Sequence, residues 1–149
     1  STWYTTNDAT FEITGVQLEV SDHVTDFEHR SYAQELALCQ RYYYIFADSS
    51  NGNMLTTGFA YHSNQPEVVI HYPEMRAAPS LIHSTGTNYY GVKNNNANVT
   101  FNSWLWYEAT SRNGLLYQGS GMGSALGAGQ AYRFYFNSDQ AYIHLSAEL

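Results

Sequence analysis

Two spacings of apolar residues run through this chain. Over residues 32–44 they recur at helical spacing. Tyr32, Leu36, Cys39 and Tyr43 form one stripe, widened by Ala33, Ala37 and Leu38. Ser31 stands in the N-cap position, and Gln34 three residues on completes a capping box. Glu28 before this helix and Arg41 in its last turns carry signs that suit the helix dipole. The turn residues Asp48-Ser49-Ser50-Asn51-Gly52 are expected to stop it. Elsewhere the spacing is two. Phe11 and Ile13, then Val16, Leu18 and Val20, predict one or two strands over residues 10–20 with a bulge at Gly15. Asn51-Gly52 and Asn113-Gly114 are hairpin signals. Strands are expected over residues 54–62 and 67–72, the second with Val68, Ile70 and Tyr72 on one face. Pro66, Pro73 and Pro79 punctuate this part as edges or strand starts.

Further along, residues 80–83 and 87–92 are short strand candidates, and Lys93-Asn94-Asn95-Asn96 is a turn. Residues 98–109 predict the clearest strand. Val99, Phe101, Leu105 and Tyr107 take one face, expected to be the core, and Thr100, Asn102, Trp104 and Trp106 take the other. Residues 115–118 are a brief strand, and the glycines of residues 119–129 predict a mobile or ligand-facing loop. Tyr132, Phe134 and Phe136, then Ile143, Leu145, Ala147 and Leu149, mark the inward faces of two closing strands. Short strands with frequent turn signals, and no strand–helix alternation, predict an all-β fold: an antiparallel β-sandwich or jelly-roll-like domain with one short N-terminal helix. Residues 1–28 read as the terminal strands and linker of a preceding jelly-roll domain, and residues 29–149 as a C-terminal β-sandwich domain. The sequence begins inside a strand-like pattern, so it is expected to be part of a longer chain.

Composition narrows the function. The chain has 149 residues, 16% of them aromatic and only 13% charged, with 14 tyrosines. Its net charge is −7 with six Lys and Arg, and no basic cluster faces phosphates, which argues against nucleic acid as a partner. No apolar run approaches the length of a membrane span. The lone Cys39 excludes an internal disulfide, suits assembly in a bacterial cytoplasm, and is expected to be buried packing on the helix stripe. No phosphate loop, dinucleotide fingerprint, nucleophile elbow or zinc-protease motif is present. His62, His71, His83 and His144 lie on different strand candidates without ligand spacing, so no metal is expected, although a threefold axis could gather three copies of one histidine. Glu67, Glu74, Glu108 and Asp139 are available for carboxylate chemistry, but no spacing singles out a pair. No catalytic residue and no cofactor are expected.

One stretch carries a resemblance. Gly15-Val16-Gln17-Leu18-Glu19-Val20, Thr25-Asp26-Phe27-Glu28, Arg30, and Glu35-Leu36-Ala37-Leu38-Cys39-Gln40-Arg41-Tyr42-Tyr43 together resemble a junction of bacteriophage tail-fibre and related virion proteins. There the first blocks end a jelly-roll, carbohydrate-binding-like domain, and the helix opens a small C-terminal β domain. Pro73-Glu74-Met75-Arg76-Ala77-Ala78-Pro79-Ser80 and the closing Ala147-Glu148-Leu149 are similar to further blocks of that family, while Ser21 stands where it usually has Gly. The resemblance implies a distal tail-fibre domain of a virion. It would be a homotrimer joined to the rest of the fibre, recognising a host-surface receptor, with a glycan as the expected ligand. The residues agree in kind: Tyr89, Tyr90, Asn94, Asn95, Asn96, Trp104 and Trp106 are the densest grouping of aromatic faces beside amides, the combination that holds sugars. Two rivals stand beside this reading. One is a purely structural trimerisation, tip or decoration domain whose aromatics are all core or interface; the other is a glycan-degrading module.

Overall fold

A computed structural model of the chain describes residue 10, residues 12–48 and residues 53–148. Helix α1 (Tyr32–Gln40) precedes ten strands: β1 (Tyr43–Ala47), β2 (Met54–His62), β3 (Gln65–His71), β4 (Ser80–His83), β5 (Tyr90–Lys93), β6 (Asn98–Phe101), β7 (Ser103–Ala109), β8 (Asn113–Ser120), β9 (Ala131–Phe136) and β10 (Ile143–Ser146). Every ladder is antiparallel. One sheet has the order β6-β5-β9-β2-β3-β8-β7 and curls into a half-barrel; a smaller one has the order β1-β10-β4. The expected all-β, sandwich-like fold is therefore present.

The helix is shorter than expected. Its capping box forms as read: Ser31 Oγ accepts from Gln34 N, and Gln34 Oε1 accepts from Ser31 N at 2.9 Å. It ends at Gln40 because Tyr43, Tyr44, Ile45 and Phe46 are strand formers. Tyr43, Tyr44 and Ile45 pair with β10, the register shifts at Phe46, and Tyr44 and Phe46 pack on the core. The Asp48–Gly52 turn thus follows a strand, and its residues 49–52, with the Asn51-Gly52 signal, lie outside the described residues. No residue of α1 is buried: Tyr32, Leu36 and Leu38 are exposed, and so is Cys39, contrary to expectation.

The strand expected over residues 10–20 does not form among the described residues. A strand persists only in a ladder, and no described segment pairs with this one. Instead the segment folds back on itself through side chains. The Glu19 carboxylate accepts from Thr25 N at 2.8 Å, and Gln17 Oε1 accepts from Glu28 N at 2.8 Å. The Thr25 hydrogen bonds hold the Glu19 carboxyl below the usual carboxylate range. Gly15 has φ +67°, a left-handed conformation that glycine adopts without strain, but with no strand there is no bulge at it. Leu18, Val20 and Val24 lie fully open.

The expected strand over residues 98–109 is two strands. The chain leaves one edge of the seven-stranded sheet as β6, turns at Asn102, and enters the opposite edge as β7. That corner reverses part of the expected facing. Trp104, Tyr90, Phe101, Phe134 and Phe136 form the centre of the core, with Phe101 and Trp104 edge-to-face at 4.8 Å. Leu105 and Tyr107, expected in the core with Val99 and Phe101, point outward at 44% and 63% exposure. The small sheet closes the inner face: Ile143, Leu145 and the following Ala147 join the same core, and the single Tyr90 Oη proton is shared between the carbonyls of Ser84 and Tyr142, 2.9 and 3.0 Å away. Strand β3 places Val68 and Ile70 inward, followed by Tyr72, as expected. The glycine-rich segment continues β8 as far as Ser120, and the loop then runs over residues 121–130. It is tied at three points, Gly123 N to Thr100 O, Leu126 N to Ser63 O and Gly129 N to Ala60 O, and Leu126 is buried.

Three of the blocks that carry the sequence resemblance, those of residues 35–43, 73–80 and 147–149, meet in space. Arg76 N donates to Arg41 O at 2.9 Å and its guanidinium lies over the Tyr42 ring, while Ala147 N donates to Tyr42 O at 2.7 Å.

Candidate functional site

The expected aromatic and amide cluster divides. Tyr90 and Trp104 are core residues, so neither offers a face to a ligand. Burial pushes the Tyr90 phenol up to about 12. Trp106 is half-buried; its indole Nε1 donates to Pro79 O at 3.1 Å and its ring lies against Gly114, where a Cβ would collide with it. Tyr89 stands at the start of β5, away from the asparagine turn, with its hydroxyl donating to Gln140 Oε1 at 2.6 Å. The aromatic platform expected on residues 104 and 106 is therefore absent. Inward packing of the two rings is the reason.

Asn94, Asn95 and Asn96 remain together and line a cleft. They form the tip of the β5–β6 hairpin, closed by Asn94 N to Ala97 O at 2.9 Å. Asn94 Oδ1 accepts from Asn96 N and Ala97 N, both at 2.9 Å, and so fixes the turn from within. Asn94 Nδ2 donates to Gln130 Oε1 at 3.2 Å, and the same oxygen accepts from the Tyr132 hydroxyl. Opposite the turn stand Thr57, Gln130 and Arg133, with Lys93 at the end of β5. The cleft encloses about 540 Å³. Its wall is a hairpin tip and its floor is sheet, so Thr57, Lys93 and Arg133 project from paired strands and Asn95 and Asn96 from the turn.

Lys93 and Arg133 are direct partners across the β5–β9 ladder. Lys93 Nζ lies 4.6 Å from the centre of the Tyr135 ring, and Tyr135 Oη donates to Asn98 Oδ1 at 2.7 Å. The ring lies flat over Gly91, where a Cβ would come within 2.2 Å of it. Glycine is needed here for close approach. Burial holds the Tyr135 phenol above the usual tyrosine range.

Sequence reasoning missed Thr57, Lys93, Gln130 and Arg133 as members of one site. Lys93 was legible beside the asparagines. Arg133 was legible as the polar position between Tyr132 and Phe134. Only the β5–β9 pairing, which is non-local, brings them together.

The histidines do not converge. Among the described residues no group of three or more His, Cys, Asp or Glu side chains could hold a metal ion. His62 and His71 are exposed. His83 shares a face with Ile143, and burial lowers its pKa. His144 sits between Tyr43 and Tyr142, with Tyr43 Oη 2.6 Å from Nδ1. Of the carboxylates, Glu74 pairs with Arg112, and Glu67 is buried and accepts from Gln65 at 2.7 Å. No helix among the described residues is long and apolar enough to cross a membrane. No protein-family model, no curated protein and no solved structure matches this chain.

Proposed function

We propose that this chain is the distal receptor-recognising part of a bacteriophage tail fibre or a related virion appendage, working as a homotrimer and holding a host-surface glycan without turning it over. The observation that carries the reading is the cleft over the Asn94–Asn96 turn. It is within the size range of small-ligand sites, and amides, a hydroxyl and two cations line it on a rigid hairpin and sheet. Such groups exchange hydrogen bonds with sugar hydroxyls at little ordering cost. The resemblance supports the identity of the module, and three of its blocks touch one another around Tyr42. Exposed apolar positions on the helix and on the preceding segment support the trimer, because a surface of this kind is ordinarily covered by a partner.

The test is binding of the purified chain to a glycan array and to bacterial strains with intact or stripped surface polysaccharide. Binding that disappears with the polysaccharide is expected. Equal binding to stripped cells, or none to any strain, counts against the reading. Light scattering at micromolar concentration should give three times the chain mass, and a monodisperse monomer rejects the trimer.

A second reading has its own observation. Trp104 is core and the expected platform is gone, as a structural trimerisation or tip domain without a ligand would have it. An intact trimer that binds no glycan would favour it.

A further inference from the structure

We infer that the cleft selects a negatively charged sugar, one bearing a carboxylate or a phosphate, and that Lys93 and Arg133 are the residues that read the charge. This rests on the cleft being the glycan site. The chain carries six Lys and Arg against thirteen Asp and Glu, so cations are scarce, yet two of them stand directly opposite each other on neighbouring strands. Like charges in that position repel and weaken the ladder. Two of the other four cations are ion-paired, Arg30 with Glu28 and Glu35 and Arg112 with Glu74. Among the described residues no carboxylate lies within ion-pair distance of Lys93 or Arg133, and no Asp or Glu lines the cleft.

The Lys93 charge is also held in place. Tyr135, seated over Gly91 and bonded to Asn98, gives the Lys93 ammonium a ring to rest on. An anion between the two would relieve their repulsion and accept charge-assisted hydrogen bonds, a guanidinium being suited to a planar carboxylate or a phosphate. The surrounding amides of Asn95, Asn96 and Gln130 suit hydroxyls. With a chain charge of −7, a polyanion has no general attraction to the molecule, so selection must come from this local pair and weaken with added salt.

The experiment is calorimetric titration of the full chain with four probes: a galacturonate oligomer, its neutral galactose counterpart, a mannose-6-phosphate oligosaccharide, and a single-stranded DNA oligomer. At least one acidic sugar should bind about tenfold more tightly than the neutral oligomer, the scale of one charge-assisted contact. Which acidic sugar wins assigns carboxylate or phosphate. In Lys93→Gln/Arg133→Gln the ratio of acidic to neutral affinity should fall to about one; the melting temperature should not fall, since repulsion is removed. Arg112→Gln, outside the cleft, should keep the preference.

Equal binding of neutral and acidic sugars by the unaltered chain overturns the charge inference and leaves the glycan reading standing. Binding of none of the sugars overturns both. DNA binding as tight as the best sugar also overturns the inference, because the cation pair would then be an unselective anion site.

Discussion

The inner and outer faces of the seven-stranded sheet are built from the same strands, and both are aromatic. On β7, Trp104 points inward and is 1% exposed, while Tyr107, three residues on, points outward and is 63% exposed. Inside, the rings close on one another and the buried hydroxyls find backbone partners. Outside, the face has two halves. On β6, β5 and β9 it is polar and cationic, with Lys93, Arg133 and the hydrogen-bonded Tyr135. On β2, β3, β8 and β7 it is apolar, with Phe59, Tyr61, Val69, Leu105 and Tyr107 exposed. Aromatic content alone therefore says little about where a ligand sits. What covers a ring, and what its polar atom touches, separates core, contact surface and recognition surface.

The comparison breaks most visibly at Trp104. Trp104→Ala should cost about 3–5 kcal/mol, the scale of emptying a fully buried aromatic site, measured by denaturant unfolding. A loss below about 1 kcal/mol would mean that the inner face is not the core. Next is alkaline pH. Burial keeps the Tyr90 and Tyr72 protons in the folded chain up to about 12, whereas an unfolded chain releases them from about pH 10. The folded state then binds more protons, so the unfolding midpoint should fall between about pH 10 and 12 and be untouched by these groups below that window. Tyr72→Phe should make the fall shallower.

Trp106 should give a smaller effect. Trp106→Phe removes the hydrogen bond to Pro79 O and should cost about 1 kcal/mol, with glycan affinity unchanged. Weakened sugar binding in a stable Trp106→Phe trimer would return that ring to the site. In acid, His83, its pKa lowered by burial, resists the proton that an unfolded chain accepts below about pH 6.5. The stability it contributes is complete above that pH and is lost as pH falls through its lowered value, a slope that His83→Gln should flatten. Smallest for folding is the apolar half of the outer face. Tyr107→Ser should change unfolding free energy by no more than about 0.5 kcal/mol in a monomeric chain. If that half is the subunit contact, the same change should shift the molecule toward monomers in sedimentation runs.

Much of the fold was legible. The capping box, the inward faces of Val68 and Ile70 and of Phe134 and Phe136, and the Asn94 turn all follow from local spacing. Three expectations failed for reasons that no local pattern contains. Tyr43 continues the helical stripe as far as the expected end at Tyr44, but the strand preference of both found β10 and prevailed. Val16, Leu18 and Val20 alternate properly, yet alternation without a neighbouring strand makes no ladder. Leu105 and Tyr107 kept step with Val99 and Phe101 only on the assumption of a straight strand, and the corner at Asn102 moved them to the opposite face. The cleft was half legible, since one wall is a contiguous run of sequence and the other arrives from β9.

The asparagine turn divides two tasks among three like residues. Asn94 spends its side chain inside the protein, holding two backbone amides and reaching Gln130, whereas Asn95 and Asn96 face solvent. A mutation at residue 94 must therefore contend with folding, while mutations at 95 and 96 meet almost no structural objection. Variation under changing selection should accumulate at those two positions first. A lineage of such chains could sample new surface chemistries there in single steps while the hairpin beneath stayed the same.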